Sequence, residues 1–270
     1  MDTVSPMAKG AATDWPRRGI AGKVWLVGAG PGAEDLLTVR AARVLRLADV
    51  VAYDELVSET ILALVPRTSE RIAVGRRAHG CRHHDQTVHP LVVERARQGH
   101  CVVRLKGGDP MVFGRGGEEA EALAAAGIEF EIVPGISAAL GAAAAVGIPL
   151  THRECASSVT FATAHAAGDN SRRDSQHATA KPSGTLVYYM GLERIDSTCV
   201  ALIASGHPSN TPAAVVSRAT LPDERTVVGT LTDIACRVRS AGLVTPAILL
   251  VGDVVSRRVA PSSCVRETDA

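Results

Sequence analysis

Short apolar runs that stop at glycine or proline, each followed by a segment of helical periodicity, constrain the fold of this chain more than any other feature. Lys23-Val24-Trp25-Leu26-Val27 runs into Gly28, Cys101-Val102-Val103-Arg104-Leu105 into Lys106-Gly107-Gly108-Asp109-Pro110, and Phe130-Glu131-Ile132-Val133 into Pro134-Gly135. Runs this short, bounded by turn residues, suit buried strands. Between them, Leu36–Ala48 places Leu37, Ala41, Val44, Leu45 and Ala48 on one helical face. Thr87–Gln98 and Glu118–Ala126 are also helical in pattern, closed by Gly99 and Gly127. Further strands are expected at Asp49–Asp54 and Arg71–Val74, with a short helix opening at Ser58 and stopped by Pro66. Strands alternating with helices predict an α/β fold with a mostly parallel sheet.

The second half changes style. A small-residue helix is expected over Ala138–Val146, then strands at Val159–Thr163, Thr185–Tyr189, Ala213–Val216, Arg225–Val228 and Ala247–Val251. Helices at Ile195–Ala204 and Leu231–Ala241 lie between them, and 168–183 is polar. A second α/β unit with mixed strand directions fits this pattern. The expected organisation is a tail over 1–21, α/β domains over 22–136 and 137–256, and a second tail over 257–270.

The chain has 270 residues, a formal charge of +1 and 3% aromatic residues. A near-neutral chain does not bind nucleic acid or a membrane surface through bulk charge, and so few aromatics do not build a base-stacking platform. A strong ligand interaction must come from a local cluster or from backbone groups. The six cysteines (Cys81, Cys101, Cys155, Cys199, Cys236, Cys264) include no C-x-x-C pair. That favours reduced thiols over a disulfide framework or zinc ribbon, and with no apolar leader or long apolar span it predicts a cytoplasmic protein.

Two turns carry potential chemistry. Gly28-Ala29-Gly30-Pro31-Gly32-Ala33 satisfies G-x-G-x-x-A, a dinucleotide fingerprint, but strand-to-helix turns also need glycine for purely steric reasons. Pro31 lacks the N–H that a diphosphate would use, which argues for close backbone packing against some other ligand. In Lys106–Pro110 two glycines let a flat ligand approach the backbone, and Asp109 either accepts from that ligand or caps the turn before Pro110. Met190 alone reads first as a core methionine after an apolar strand.

Taken together, the motifs resemble those of the tetrapyrrole (class III) methyltransferases. Val24-x-x-Val27-Gly28-Ala29-Gly30-Pro31-Gly32 with Leu36-Leu37-Thr38 is similar to their first signature. Val102-x-x-Leu105-x-x-Gly108-Asp109-x-x-x-Phe113-Gly114, continued by Ile132-Val133-Pro134-Gly135, is similar to the second. Tyr53-Asp54-x-Leu56-Val57, Arg115-Gly116-Gly117-Glu118-Glu119, Gly147–Arg153 and Tyr189-Met190-Gly191-Leu192 resemble the uroporphyrinogen-III C-methyltransferase subfamily. The resemblance spans roughly 22–255. It implies a two-domain homodimer with S-adenosylmethionine (SAM) in the cleft between domains, released as S-adenosylhomocysteine. It also implies donor contacts at Pro31, Gly107, Gly108, Asp109, Val112, Ser137, Ala138, Met190 and Ala219. The implied reaction is methylation of uroporphyrinogen III at carbons 2 and 7 to precorrin-2 through precorrin-1, serving sirohaem or cobalamin synthesis.

The resemblance aligns Asp54 with the family's proposed proton acceptor; as a lone residue it reads also as a turn cap. Relatives carry lysine as the proposed proton donor where this chain has Arg76, a poor proton donor but a good fork for carboxylates. The implied substrate carries eight carboxylates, so local basic stretches are expected to meet it. Arg76 and Arg77 head the densest stretch, with His79, Arg82, His83 and His84, and His152-Arg153 form a second. A solvated basic loop is the plain alternative for the first stretch. Its histidine spacing matches no standard metal motif, so no metal is expected. Other readings still open are methylation of a later precorrin, a non-catalytic SAM-binding protein, and a nicotinamide-dependent dehydrogenase using Gly28–Ala33. Pro31 and the Lys106–Glu119 motif count against the last.

Overall fold

β1, Lys23–Gly28, is buried along its whole length because it lies inside a parallel sheet. The computed structural model describes residues 22–74, 88–164 and 184–259. The first sheet has order β3-β2-β4-β1-β5, built from β2 Val50–Tyr53, β3 Glu70–Ala73, β4 Val102–Lys106 and β5 Glu129–Val133, every pair parallel. Side-chain alternation along β1 divides the core in two. Trp25 and Val27 join the face covered by α1 (Val39–Leu47) and α2 (Glu59–Ala63), while Val24 and Leu26 join the face covered by α3 (Pro90–Arg97) and α4 (Gly116–Ala125). A sheet covered on both faces explains why the inner strands β1 and β2 are near-continuous apolar runs rather than alternating.

Helix starts follow caps more closely than hydrophobic pattern does. The helix expected from Leu36 begins as a separate 3-10 turn at Glu34–Leu36, and α1 starts only after Thr38, whose hydroxyl accepts from Ala41 N at 3.1 Å. α3 begins at Pro90 rather than Thr87, with Pro90 in the first turn and the His89 imidazole accepting from Leu91 N at 3.3 Å. α4 begins two residues before the expected Glu118, because Arg115 takes a left-handed conformation that turns the chain.

The second sheet has order β6-β7-β10-β8-β9, from β6 Val159–Thr163, β7 Thr185–Tyr189, β8 Pro212–Ser217, β9 Arg225–Thr230 and β10 Ala247–Val251. Only β6–β7 is parallel; β7–β10, β10–β8 and β8–β9 are antiparallel. Leu186 and Tyr188 face a core shared with α6 (Ile195–Ala204) and α7 (Ile234–Ser240), the latter starting after Asp233 accepts from Thr230 N at 2.6 Å. Val187 and Tyr189 face the other core, shared with α5 (Ala138–Val146). α5 therefore leaves the end of β5 in the first sheet and packs on the second. Val112, from the loop after β4, packs against that same core.

Candidate active site

The ends of β1, β4, β5, β7 and β8 meet in one place, and backbone contact brings them there. Gly30 and Gly108 form an isolated antiparallel bridge, with Gly108 N donating to Gly30 O at 2.7 Å and Gly30 N to Gly108 O at 3.1 Å. A Cβ on Gly28 would lie 2.5 Å from Gly135 N, and one on Gly135 would lie 2.2 Å from Gly108 O. The steric account of the first glycine turn therefore holds at Gly28: its missing Cβ admits another backbone. Pro31 packs on Gly141 of α5, where a Cβ would sit 2.4 Å from the proline ring.

The second half reaches across to this turn. Ala33 N donates to Thr220 Oγ1 at 3.0 Å, and Leu221 lies against Gly32. The Tyr189 hydroxyl, at the end of β7, shares a hydrogen bond with Ser137 Oγ and accepts from Ala139 N in the first turn of α5 at 3.3 Å. Phe113, from the loop after β4, packs its ring at a tilt of 51° against the Tyr189 ring, 4.8 Å between centroids. Burial holds the Tyr189 phenol above its usual range, with the Ser137 and Ala139 contacts pulling the other way.

Five non-glycine residues have positive φ among the described residues: Phe113, Arg115, Met190, Arg218 and Thr220. All lie on loops bordering this junction. Such backbones cost about 1–3 kcal/mol each and persist where surrounding contacts over-determine them, commonly at functional sites.

The structure gathers the residues expected to hold the donor. Val112, Ala138 and Ala219 are partly buried on the core that contains Tyr189, Met190 follows Tyr189 and is 46% exposed, and Pro31 lies on α5. Asp109 follows the turn-cap reading: one carboxylate oxygen accepts from Met111 N at 2.8 Å and the other from Gly135 N at 3.0 Å. It caps its turn and also ties the loop after β4 to the loop after β5. The Ser137 side chain is buried and engaged with Tyr189, which leaves its backbone and that of Ala138 at the start of α5.

Asp54 is no simple turn cap. Its carboxylate accepts from Arg104 Nη2 at 2.6 Å and lies 3.9 Å from Lys106 Nζ. Arg104 Nε in turn donates to Glu119 Oε1 at 2.9 Å, and Lys106 Nζ is 2.9 Å from Glu119 Oε2. Burial alone would lower the Arg104 guanidinium's pKa; Asp54 and Glu119 outweigh it and hold it above its usual value. The turn after Asp54 reaches the glycine pair, since a Cβ on Gly107 would lie 2.9 Å from Leu56 Cβ. Arg104, Lys106, Glu119, Tyr189 and Thr220 are the residues sequence reasoning missed as parts of the site. The first two had a legible signal: cations two apart in an apolar strand share one buried face and require acid partners.

The basic stretches are only partly visible. Arg76 and Arg77, with His79, Arg82, His83 and His84, lie outside the described residues. His152 is half-buried, with Glu154 N donating to its Nδ1 at 3.3 Å. Arg153 is exposed and makes no ion pair among the described residues. No cluster of metal-ligating side chains occurs among the described residues, and no described helix is long and apolar enough to cross a membrane.

Known proteins share this arrangement. A siroheme synthase of Gluconacetobacter diazotrophicus is 48% identical over 238 residues, covering 88% of this chain and 51% of its own length. One of Hahella chejuensis is 49% identical over 237 residues, covering 88% and 50%. The chain thus spans about half the length of these curated relatives. Among solved structures, uroporphyrin-III C-methyl transferase of Thermus thermophilus complexed with S-adenosyl homocysteine superposes with a TM-score of 0.74 at 38% identity, over 87% of this chain and 99% of that one. A cobalt precorrin-4 methyltransferase of cobalamin biosynthesis superposes with a TM-score of 0.78 at 30% identity, over 89% and 98%. The family model of the tetrapyrrole (corrin/porphyrin) methylases matches residues 23–235. With that match, two sheets joined at their strand ends and a like fold in the solved relatives, the chain belongs to the tetrapyrrole (corrin/porphyrin) methylase family.

Proposed function

We propose that this chain methylates uroporphyrinogen III at carbons 2 and 7, giving precorrin-2 by way of precorrin-1, and acts as a cytoplasmic homodimer in sirohaem or cobalamin synthesis. The observation that carries the reading is the junction itself: the loops bearing Pro31, Gly107–Val112, Ser137–Ala138, Met190 and Ala219 meet around Tyr189, with Asp54 on the neighbouring strand end. The names of the Thermus relative and of the siroheme synthases favour this substrate over a later precorrin. The cobalt precorrin-4 methyltransferase keeps the later substrate as a second reading.

The donor fits the residues present. Leu56 covers Gly107 and Gly108 lies against Ala138 N, while Val112, Ala138, Ala219 and Met190 supply apolar walls and the backbone of Ser137 and Ala138 offers polar contacts at the start of α5. When bound, SAM supplies an electrophilic methyl group. The protein's task is then to position an electron-rich pyrrole carbon and to accept the proton that the methylated ring releases. Asp54, 25% exposed and hydrogen-bonded to Arg104, is the base placed to do so. Arg76, Arg77, His152 and Arg153 are assigned to the substrate carboxylates, with Arg76 binding rather than donating a proton.

The test is incubation with uroporphyrinogen III and methyl-labelled SAM under anaerobic conditions. Two labels per macrocycle, located at carbons 2 and 7, are expected. Bound S-adenosylhomocysteine without label transfer overturns the substrate assignment and points to a later precorrin or a non-catalytic role. Asp54→Asn is expected to lower kcat by about 100-fold or more while donor affinity stays within about twofold.

A further inference from the structure

We propose that Glu119 is a positioning residue that sets the basicity of Asp54 by holding Arg104 and Lys106 on its two carboxylate oxygens. The inference rests on the reading of Asp54 as proton acceptor. Glu119 lies in α4, Arg104 and Lys106 alternate on one face of β4, and Asp54 follows β2, so three elements meet in one charge cluster. Side-chain exposure is 9% for Arg104, 4% for Lys106 and 6% for Glu119, against 25% for Asp54. The three inner groups are dry and only Asp54 opens outward.

The charges of the four groups cancel. Asp54 faces two cations, and Glu119 engages both from the other side, Arg104 at 2.9 Å and Lys106 at 2.9 Å. Without Glu119 the two cations would act undiluted on Asp54, stabilise its carboxylate and make it a weaker base. They would also lose the contacts that fix their direction, since Arg104 otherwise bonds only Asp54 and Leu105 O. Among the described residues the ion-pair partners of Asp54 are Arg104 and Lys106, and Glu55 adjoins it in the turn; in neighbouring β3, Glu70 pairs with Arg95 and Arg71 bonds Val65 O, and Glu70 registers with Val50 at the opposite end of β2.

Opposite-signed variants test the idea. In Glu119→Gln the acid limb of kcat/KM should move about one pH unit lower, because a weaker base is deprotonated to lower pH; in Lys106→Gln it should move about one unit higher. Glu119→Asp keeps the charge and should leave the limb within about 0.3 unit while lowering the plateau. A merely structural role would lower the plateau in all three without opposed shifts. The Asp54 carboxyl can be followed directly by carbon-13 NMR of aspartate-labelled protein, assigned by loss of its resonance in Asp54→Asn. If Glu119→Gln does not fold, Lys106→Gln carries the test by the same two measurements. Asp54 titrating within about 0.3 unit of wild type in every folded variant overturns the proposal. Wild-type turnover in Asp54→Asn, with the resonance still shifting in opposite directions, overturns the proton-acceptor reading instead and leaves the electrostatic link standing.

Discussion

Tyr189→Phe removes a single oxygen, and the structure states what that oxygen holds. It shares a hydrogen bond with Ser137 Oγ and accepts from Ala139 N, and all three residues are buried. Ala139 N lies in the first turn of α5, where amides have no partner within the helix. Removing the hydroxyl leaves a buried amide unsatisfied and a serine hydroxyl that can only partly compensate. Together these cost about 2–3 kcal/mol. In a chain of this size that lowers Tm by about 5–10 °C. Ser137 and Ala138 sit on the proposed donor wall, so the Kd for S-adenosylhomocysteine, read by calorimetry, should rise about five- to tenfold. At saturating donor, kcat should change less than about threefold, since no reacting group has moved. Burial holds the phenol protonated beyond neutral pH, so the effect should be flat from about pH 6 to 9. A double-mutant cycle with Ser137→Ala should return a coupling of about 1 kcal/mol. A variant with unchanged Tm and unchanged Kd would refute the claim that this hydroxyl ties the two halves together.

Gly135→Ala places a Cβ 2.2 Å from Gly108 O and 2.8 Å from Gly28 Cα, a contact between backbones that no rotamer relieves; it should cost about 3 kcal/mol or more in urea unfolding and abolish donor binding. Thr220→Val removes the acceptor of Ala33 N while keeping volume, and should lower stability by about 1 kcal/mol and raise the KM for SAM more than it lowers kcat. Burial raises the Cys199 thiol from 9.0 to about 11. The folded state keeps that proton longer than the unfolded one, so the stabilisation is complete below about pH 9 and is lost as pH rises towards 11. Denaturation midpoints measured across that window should fall, by up to about 2–3 kcal/mol from this group, and less steeply in Cys199→Ala. Arg76→Lys should leave turnover within about twofold if the position binds substrate; a large gain would show instead that a proton donor is missing there.

The alternation of apolar runs and helical segments already determined a parallel sheet in the first half and mixed strand directions in the second, because each run's length and each closing glycine is a local property of the chain. Strands at Val159–Thr163, Thr185–Tyr189 and Ala247–Val251 and the helix at Ala138–Val146 match the expected bounds for the same reason. The helix starts capped by Thr38, His89 and Arg115 departed from the pattern, since a cap depends on one side chain or one dihedral rather than on periodicity. Motif order was enough to pick out residues that the structure brings to one junction, because turns where backbones approach closely must be written as glycines. Their partners were not written anywhere. That Asp109 would span Met111 and Gly135, that Tyr189 would reach Ser137, and that Asp54, Arg104, Lys106 and Glu119 would form one buried cluster depends on which strand ends become neighbours. Buried charges and hydroxyls are stable only with partners; Asp54 and Arg104, 50 residues apart, meet only once the first sheet is assembled, and Ser137 and Tyr189, 52 apart, only once both sheets are.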